Sequence, residues 1–173
     1  ASVCINPCNL DIAREVLEGS DVKIGTVIGF PSGAHTTFSK VAEAIDAYAR
    51  GAVELDMVID IGALRNGEYD DVYNDIKAVV DATPAVVKVI LENCYLTKEQ
   101  IVKGCQLCEK AGADFVKTST GFAEGGATVE DIKLMRESVS EKVHVKAAGG
   151  IHSKEDVEAL VAAGADRVGV SRT

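Results

Sequence analysis

Residues 112–150 read GADFVKTSTGFAEGGATVEDIKLMRESVSEKVHVKAAGG. A glycine is followed by a short apolar run ending in Lys117, then by a loop of hydroxyls and glycines. An amphipathic stretch at 128–138 comes next. A second apolar run carries Lys146 and ends in Gly149 and Gly150. Strand, polar loop, helix and strand in that order make one unit of a parallel sheet. A strand interior has little use for an ammonium group, and two such groups on neighbouring strands are brought close, because strands lie roughly 4.8 Å apart. Each then disfavours the other's charge. A lysine so placed presents a free amine, and a free amine attacks carbonyls.

The same grammar runs outward in both directions. Strands are expected at 2–6, 23–29, 54–60, 86–92, 114–120, 144–149 and 167–171. Helices are expected near 10–18, 37–50, 68–82, 97–111, 128–138 and 153–163. Gly51, Gly112 and Gly164 precede strands, where a left-handed residue ends a helix and turns the chain into the sheet. A strand recurs every 21–32 residues, about the size of a βα unit. An open doubly wound sheet would show a glycine-rich fingerprint after its first strand, and none is present. A (β/α)8 barrel instead places polar residues at the ends of many strands. Asn6, Asp56, Glu92, Lys117 and Lys146 meet that description. The expected fold is therefore α/β, a (β/α)8 TIM barrel, with residues 1–173 forming one domain. The count is one strand short, and the chain stops after RVGVS without a last helix. The expectation is a piece of a longer protein, lacking the first strand and the final helix. An unpaired sheet edge invites self-association into a homo-oligomer.

Composition narrows the function classes. The 173 residues are 47% apolar, enough for a real core. The net charge of −9, with no basic stretch to offset it, argues against nucleic acid. No apolar run approaches the roughly 20 residues of a membrane-spanning helix, and no signal-peptide pattern opens the chain. The five cysteines leave one unpaired in any disulfide scheme, which favours reduced thiols and a cytoplasmic location. Cys105 and Cys108 form a CxxC inside a helical pattern, where packing outweighs metal or redox use. The three histidines lack ligand spacing, so no metal site is expected.

Each candidate residue has a plain alternative. A single strand-end lysine commonly snorkels to water, but Lys117 and Lys146 fall at the same rim of adjacent strands. Asp56, among apolar neighbours, is costly unless paired. It is either a salt-bridge partner or an acid/base shared with a lysine, and the two roles coexist. Strand alternation puts Lys88 on the face of Glu92, where an internal ion pair competes with a role at the site. Cys4 is a small filler of the pocket wall. Gly149 and Gly150 follow the penultimate strand, and Gly169 with Ser171 lie in the last strand and its loop. In barrels these loops cradle phosphate through backbone N–H groups.

The stretches VCINP, KIGTVIGFPSG, ELDMVIDIGAL, VKVILEN, ADFVKTSTGF, GGATVEDIKLM and VKAAGGI, in this order and over nearly the whole chain, resemble the deoxyribose-phosphate aldolase family. The resemblance implies a class I aldolase, a lyase that reversibly cleaves 2-deoxy-D-ribose 5-phosphate to D-glyceraldehyde 3-phosphate and acetaldehyde. It implies no metal or organic cofactor. It makes Lys117 the Schiff-base lysine, Lys146 the lysine that tunes it and Asp56 the acid/base partner. Thr120, Gly121, Gly149, Gly150, Gly169, Ser171, Cys4 and Lys88 are then candidates for the substrate and phosphate site. The ending GVSRT departs from the family's usual small-residue stretch and sets Arg172 at the phosphate loop. Alternative readings are a Schiff-base aldolase for another phosphorylated sugar and a non-catalytic sugar-phosphate binder.

Overall fold

A computed structural model describes residues 1–171; Arg172 lies outside the described residues. Seven parallel strands form one curled sheet in sequence order, β1 to β7. They are β1 Ser2–Ile5, β2 Lys23–Ile28, β3 Glu54–Val58, β4 Val86–Ile90, β5 Phe115–Lys117, β6 His144–Ala148 and β7 Arg167–Gly169. Helices α1 Leu10–Val16, α2 Thr37–Ala49, α3 Ile61–Asn66, α4 Tyr69–Ala82, α5 Lys98–Ala111, α6 Val129–Ser138 and α7 Lys154–Ala162 fill the connections. This is the TIM-barrel architecture in seven strands, as the alternating grammar requires. Among the described residues no strand joins β7 to β1. The short α3 was not expected. Asp60 starts it by accepting the Ala63 N–H at 2.9 Å, a cap that compensates for its brevity.

The strand period divides the molecule into two interiors. One face of the sheet carries Leu55, Met57, Val87, Val89, Val116, Val145 and Ala147, all packed against the helices in the main hydrophobic core. Each such side chain, fully buried, contributes about 1.5–3 kcal/mol if it is of Val or Leu size. Helix α5 shows how the outer layer is made. Thr97 and Gln100 cap each other's backbone N–H groups at its start. Ile101, Cys105 and Cys108 then recur at helical spacing and are buried. Gly112 closes the helix at φ 87°, the left-handed cap expected there. The CxxC cysteines thus belong to the core, and burial pushes the Cys105 thiol up to about 12.

The opposite face lines the barrel lumen, and it is charged. Register carries two rows across the sheet, two residues apart: Asp56 pairs with Lys88 in one, and Ile90 with Lys117, Lys117 with Lys146 and Lys146 with Arg167 in the other. Directly paired residues in a parallel sheet share a face. Glu54, Asp56, Lys88, Lys117, Lys146 and Arg167 therefore all point inward. Apolar residues of β3 to β6 sit at the intervening positions and face the helices.

Candidate active site

Asp56 is the centre of the lumen. It is fully buried on β3 and accepts three ammonium groups. Its Oδ2 takes Lys117 Nζ at 2.8 Å and Lys146 Nζ at 2.9 Å, while its Oδ1 takes Lys88 Nζ at 2.7 Å. The two lysines singled out by the sequence therefore share one oxygen atom. Both are nearly buried, with side chains 7% exposed. Burial alone would raise the Asp56 carboxyl, but the charges of Lys117, Lys146 and Lys88 outweigh it and hold the group well below the usual carboxylate range. Lys146 is shifted the other way for a base. Burial lowers it most, the Asp56 charge restores part, and the charges of Lys117 and Lys88 lower it again. A carboxylate that stays ionised, with two amines in contact and one of them ready to lose a proton, can shuttle protons to and from a carbonyl adduct.

Lys88 departs from the expectation. Its partner is not Glu92: its ammonium lies 2.7 Å from both Asp56 and Glu54, and the residue is 1% exposed. The pairing followed from alternation, which held only to the end of β4. Glu92 lies past that end in a left-handed conformation, φ 56° and ψ 63°. This turns its carboxylate toward the next loop, where Oε1 accepts the Thr120 N–H at 3.1 Å and Oε2 bonds the Thr120 hydroxyl. A non-glycine residue with positive φ at a strand end is strained and persists where its surroundings enforce it. Here the two bonds to Thr120 hold it, and they shape the loop that carries Gly121.

The loops after β5 and β6 cross at van der Waals distance. A Cβ on Gly126 would lie 2.4 Å from the Gly149 oxygen and 2.9 Å from the Gly150 nitrogen, so only glycine permits the crossing. The Ala127 N–H bonds the Gly149 carbonyl at 3.0 Å. Thr118 links the strand ends beneath: its hydroxyl donates to the Ala148 carbonyl at 2.9 Å and accepts the Ala148 N–H at 3.1 Å. Gly149 and Gly150 are thereby brought next to the loop of Gly121. Gly169 faces Lys146, whose Cε would lie 3.2 Å from an added Cβ, so a side chain there would press on the lysine. Ser171 is exposed just past β7, and Cys4 is exposed on β1 at the open edge of the sheet.

Four contributors escaped the sequence reading: Glu54, Arg167, Thr118 and Gly126. Glu54 was findable, because it stands two residues before Asp56 and so shares its face. Arg167 was findable only through the register of β6 and β7. Above the strand ends a cleft of about 390 Å³ is lined by Pro31, Ile61, Arg65, Glu92, Thr120 and Phe122, among others. Phe122 meets Phe30 edge-on, ring centroids 5.4 Å apart, at this mouth. No helix is long and apolar enough to cross a membrane among the described residues.

Known proteins similar to this chain point to one family of aldolases. The deoxyribose-phosphate aldolase of Clostridium perfringens is 60% identical over 99% of this chain and 77% of its own length. That of Thermoanaerobacter pseudethanolicus is 58% identical over 99% of this chain and 78% of its own. Among solved structures, the tetrameric deoxyribose phosphate aldolase from Aeropyrum pernix superposes with a TM-score of 0.89 at 33% identity, covering 97% of this chain and 72% of that one. The model of the DeoC/LacD family of aldolases matches residues 1–171, and the chain belongs to that family.

Proposed function

We propose that this chain is a class I aldolase that reversibly cleaves 2-deoxy-D-ribose 5-phosphate to D-glyceraldehyde 3-phosphate and acetaldehyde. The observation that carries the reading is the contact of Lys117 and Lys146 with one oxygen of a buried, ionised Asp56. Lys117, as a free amine, adds to the C1 carbonyl of the open-chain sugar. Protons passed through Asp56 and Lys146 turn the carbinolamine oxygen into water, which leaves an iminium ion. The C3 hydroxyl gives up its proton, the C2–C3 bond breaks, and its electron pair moves into the iminium to form an enamine. Glyceraldehyde 3-phosphate departs. Protonation of the enamine carbon and addition of water then free acetaldehyde and restore Lys117. The phosphate is held by backbone N–H groups of the loops at Gly121, Gly149–Gly150 and Ser171. The protein works in the cytoplasm, and its assembly as a homo-oligomer is supported by the tetrameric Aeropyrum pernix relative.

One observation favours exchanged roles for the two lysines: burial holds Lys146 below the ordinary lysine range. Borohydride reduction in the presence of substrate, followed by peptide mapping, separates the readings. A reduced adduct on Lys117 is expected. An adduct on Lys146 exchanges the roles, and binding of the sugar phosphate with no adduct leaves a non-catalytic binder.

A further inference from the structure

We infer that Glu54, clamped by Arg167, is a positioning residue that orients Asp56 and balances the charge of the lysine cluster. Asp56 has two oxygens for three ammonium groups. Lys88 occupies Oδ1, and this leaves Oδ2 for Lys117 and Lys146 together. The carboxylate can present that oxygen to both lysines only while Lys88 stays in place. Lys88 is held from the far side by Glu54 Oε2 at 2.7 Å, and the same oxygen accepts Arg167 Nη1 at 2.7 Å. A chain of charges thus runs from Arg167 through Glu54 and Lys88 to Asp56. Phe115 packs beside it, its ring centre 5.9 Å from Lys88 Nζ and 5.0 Å from the Arg167 guanidinium carbon.

Lys88 is 1% and Glu54 6% exposed. Their contribution is electrostatic. The groups around the lysines are Cys4 from β1, Glu54 and Asp56 from β3, Lys88 from β4, Lys117 from β5, Lys146 from β6 and Arg167 from β7. His144 of β6 stands apart at the start of its strand, against Phe115 and 3.6 Å from Asp166. Four cations therefore share two carboxylates. Without Glu54 they would share only Asp56, and Lys88 would draw on the charge that the reacting lysines need.

This inference rests on the Schiff-base reading of the site, and its test works through the sign of an effect. Activity of the unmodified chain, Glu54→Gln and Arg167→Met is measured against pH, with borohydride trapping alongside. The acid limb of the profile reports loss of the free amine. Removing the Glu54 charge, about 7 Å along the strand from Asp56, is expected to move that limb down by about one pH unit. Removing the Arg167 charge, one-third exposed and so partly screened, moves it up by less. For Glu54→Gln, kcat falls while KM stays within about twofold, as for a lost orientation in the reacting complex. Limbs that superimpose, or that move in the same direction in both variants, overturn the role of Glu54. If Glu54→Gln fails to fold, the upward shift in Arg167→Met decides alone, and its absence overturns the proposal. An unmodified chain that borohydride does not trap refutes the Schiff-base reading itself, which is a separate outcome.

Discussion

Replacing Asp56 by Asn keeps the shape of the side chain and removes its charge. Three ammonium groups, two of them in contact with one oxygen, would then surround a neutral amide in a lumen where Asp56 is 0% and Lys88 1% exposed. Removing one partner of a buried ion pair costs about 3–5 kcal/mol, because the remaining charge keeps its desolvation penalty. The loss should depend on pH. In the unmodified chain Asp56 is depressed in the fold, so its contribution is present above the unfolded carboxylate value near 3.9 and lost as pH falls through the lower folded value. At neutral pH it is fully present. In the Asn variant a buried lysine is driven to give up its proton in the folded state, while the unfolded chain keeps that proton until about pH 10.4. The unfolded state then binds more protons, so the stability of the variant rises with pH by up to about 1.4 kcal/mol per unit for each lysine discharged. Lys146, already lowered in the native site, discharges first. Urea unfolding of both proteins from pH 6 to pH 9 measures this. The deficit should be largest at pH 6 and shrink toward pH 9. A deficit below about 1 kcal/mol, or one that does not change with pH, refutes the account of Asp56 as the counter-charge of the lumen.

Gly126→Ala forces a methyl group against the backbone of Gly149 and Gly150. The KM for the phosphorylated sugar is expected to rise roughly tenfold or more, with a smaller change for an unphosphorylated aldehyde; equal changes for both substrates would disprove a phosphate-loop role. Lys40 is a buried cation outside the lumen, on α2, bonded to Asp75 at 2.6 Å and to the Val58 carbonyl at the end of β3 at 3.1 Å. Lys40→Met should lower stability by about 3–5 kcal/mol, and adding Asp75→Leu should restore most of it. Denaturation midpoints that stay low in the double variant would contradict this.

The fold was legible because its signals are local. Alternation along VVKVI and ELDMV assigns each side chain to a face, and the glycine after each helix marks where the chain re-enters the sheet. The paired lysines were legible for the same reason: each lies at the same position in its own βα unit, and the register of β5 with β6 makes them neighbours. The short α3 lacked any amphipathic run and was missed.

Partner choice within the lumen followed different physics. The sequence limited Lys88 to one face, but three carboxylates competed for it there. The stagger of β3 against β4 placed Asp56 and Glu54 within reach, and the left-handed turn at Glu92 took the other carboxylate away. Arg167 reaches Glu54 across 113 residues of chain, and only the curling of the sheet brings β7 over β3. Faces and turns depend on a few consecutive residues. Ion pairs across a barrel depend on how every strand is shifted against its neighbour, a quantity that no single segment encodes.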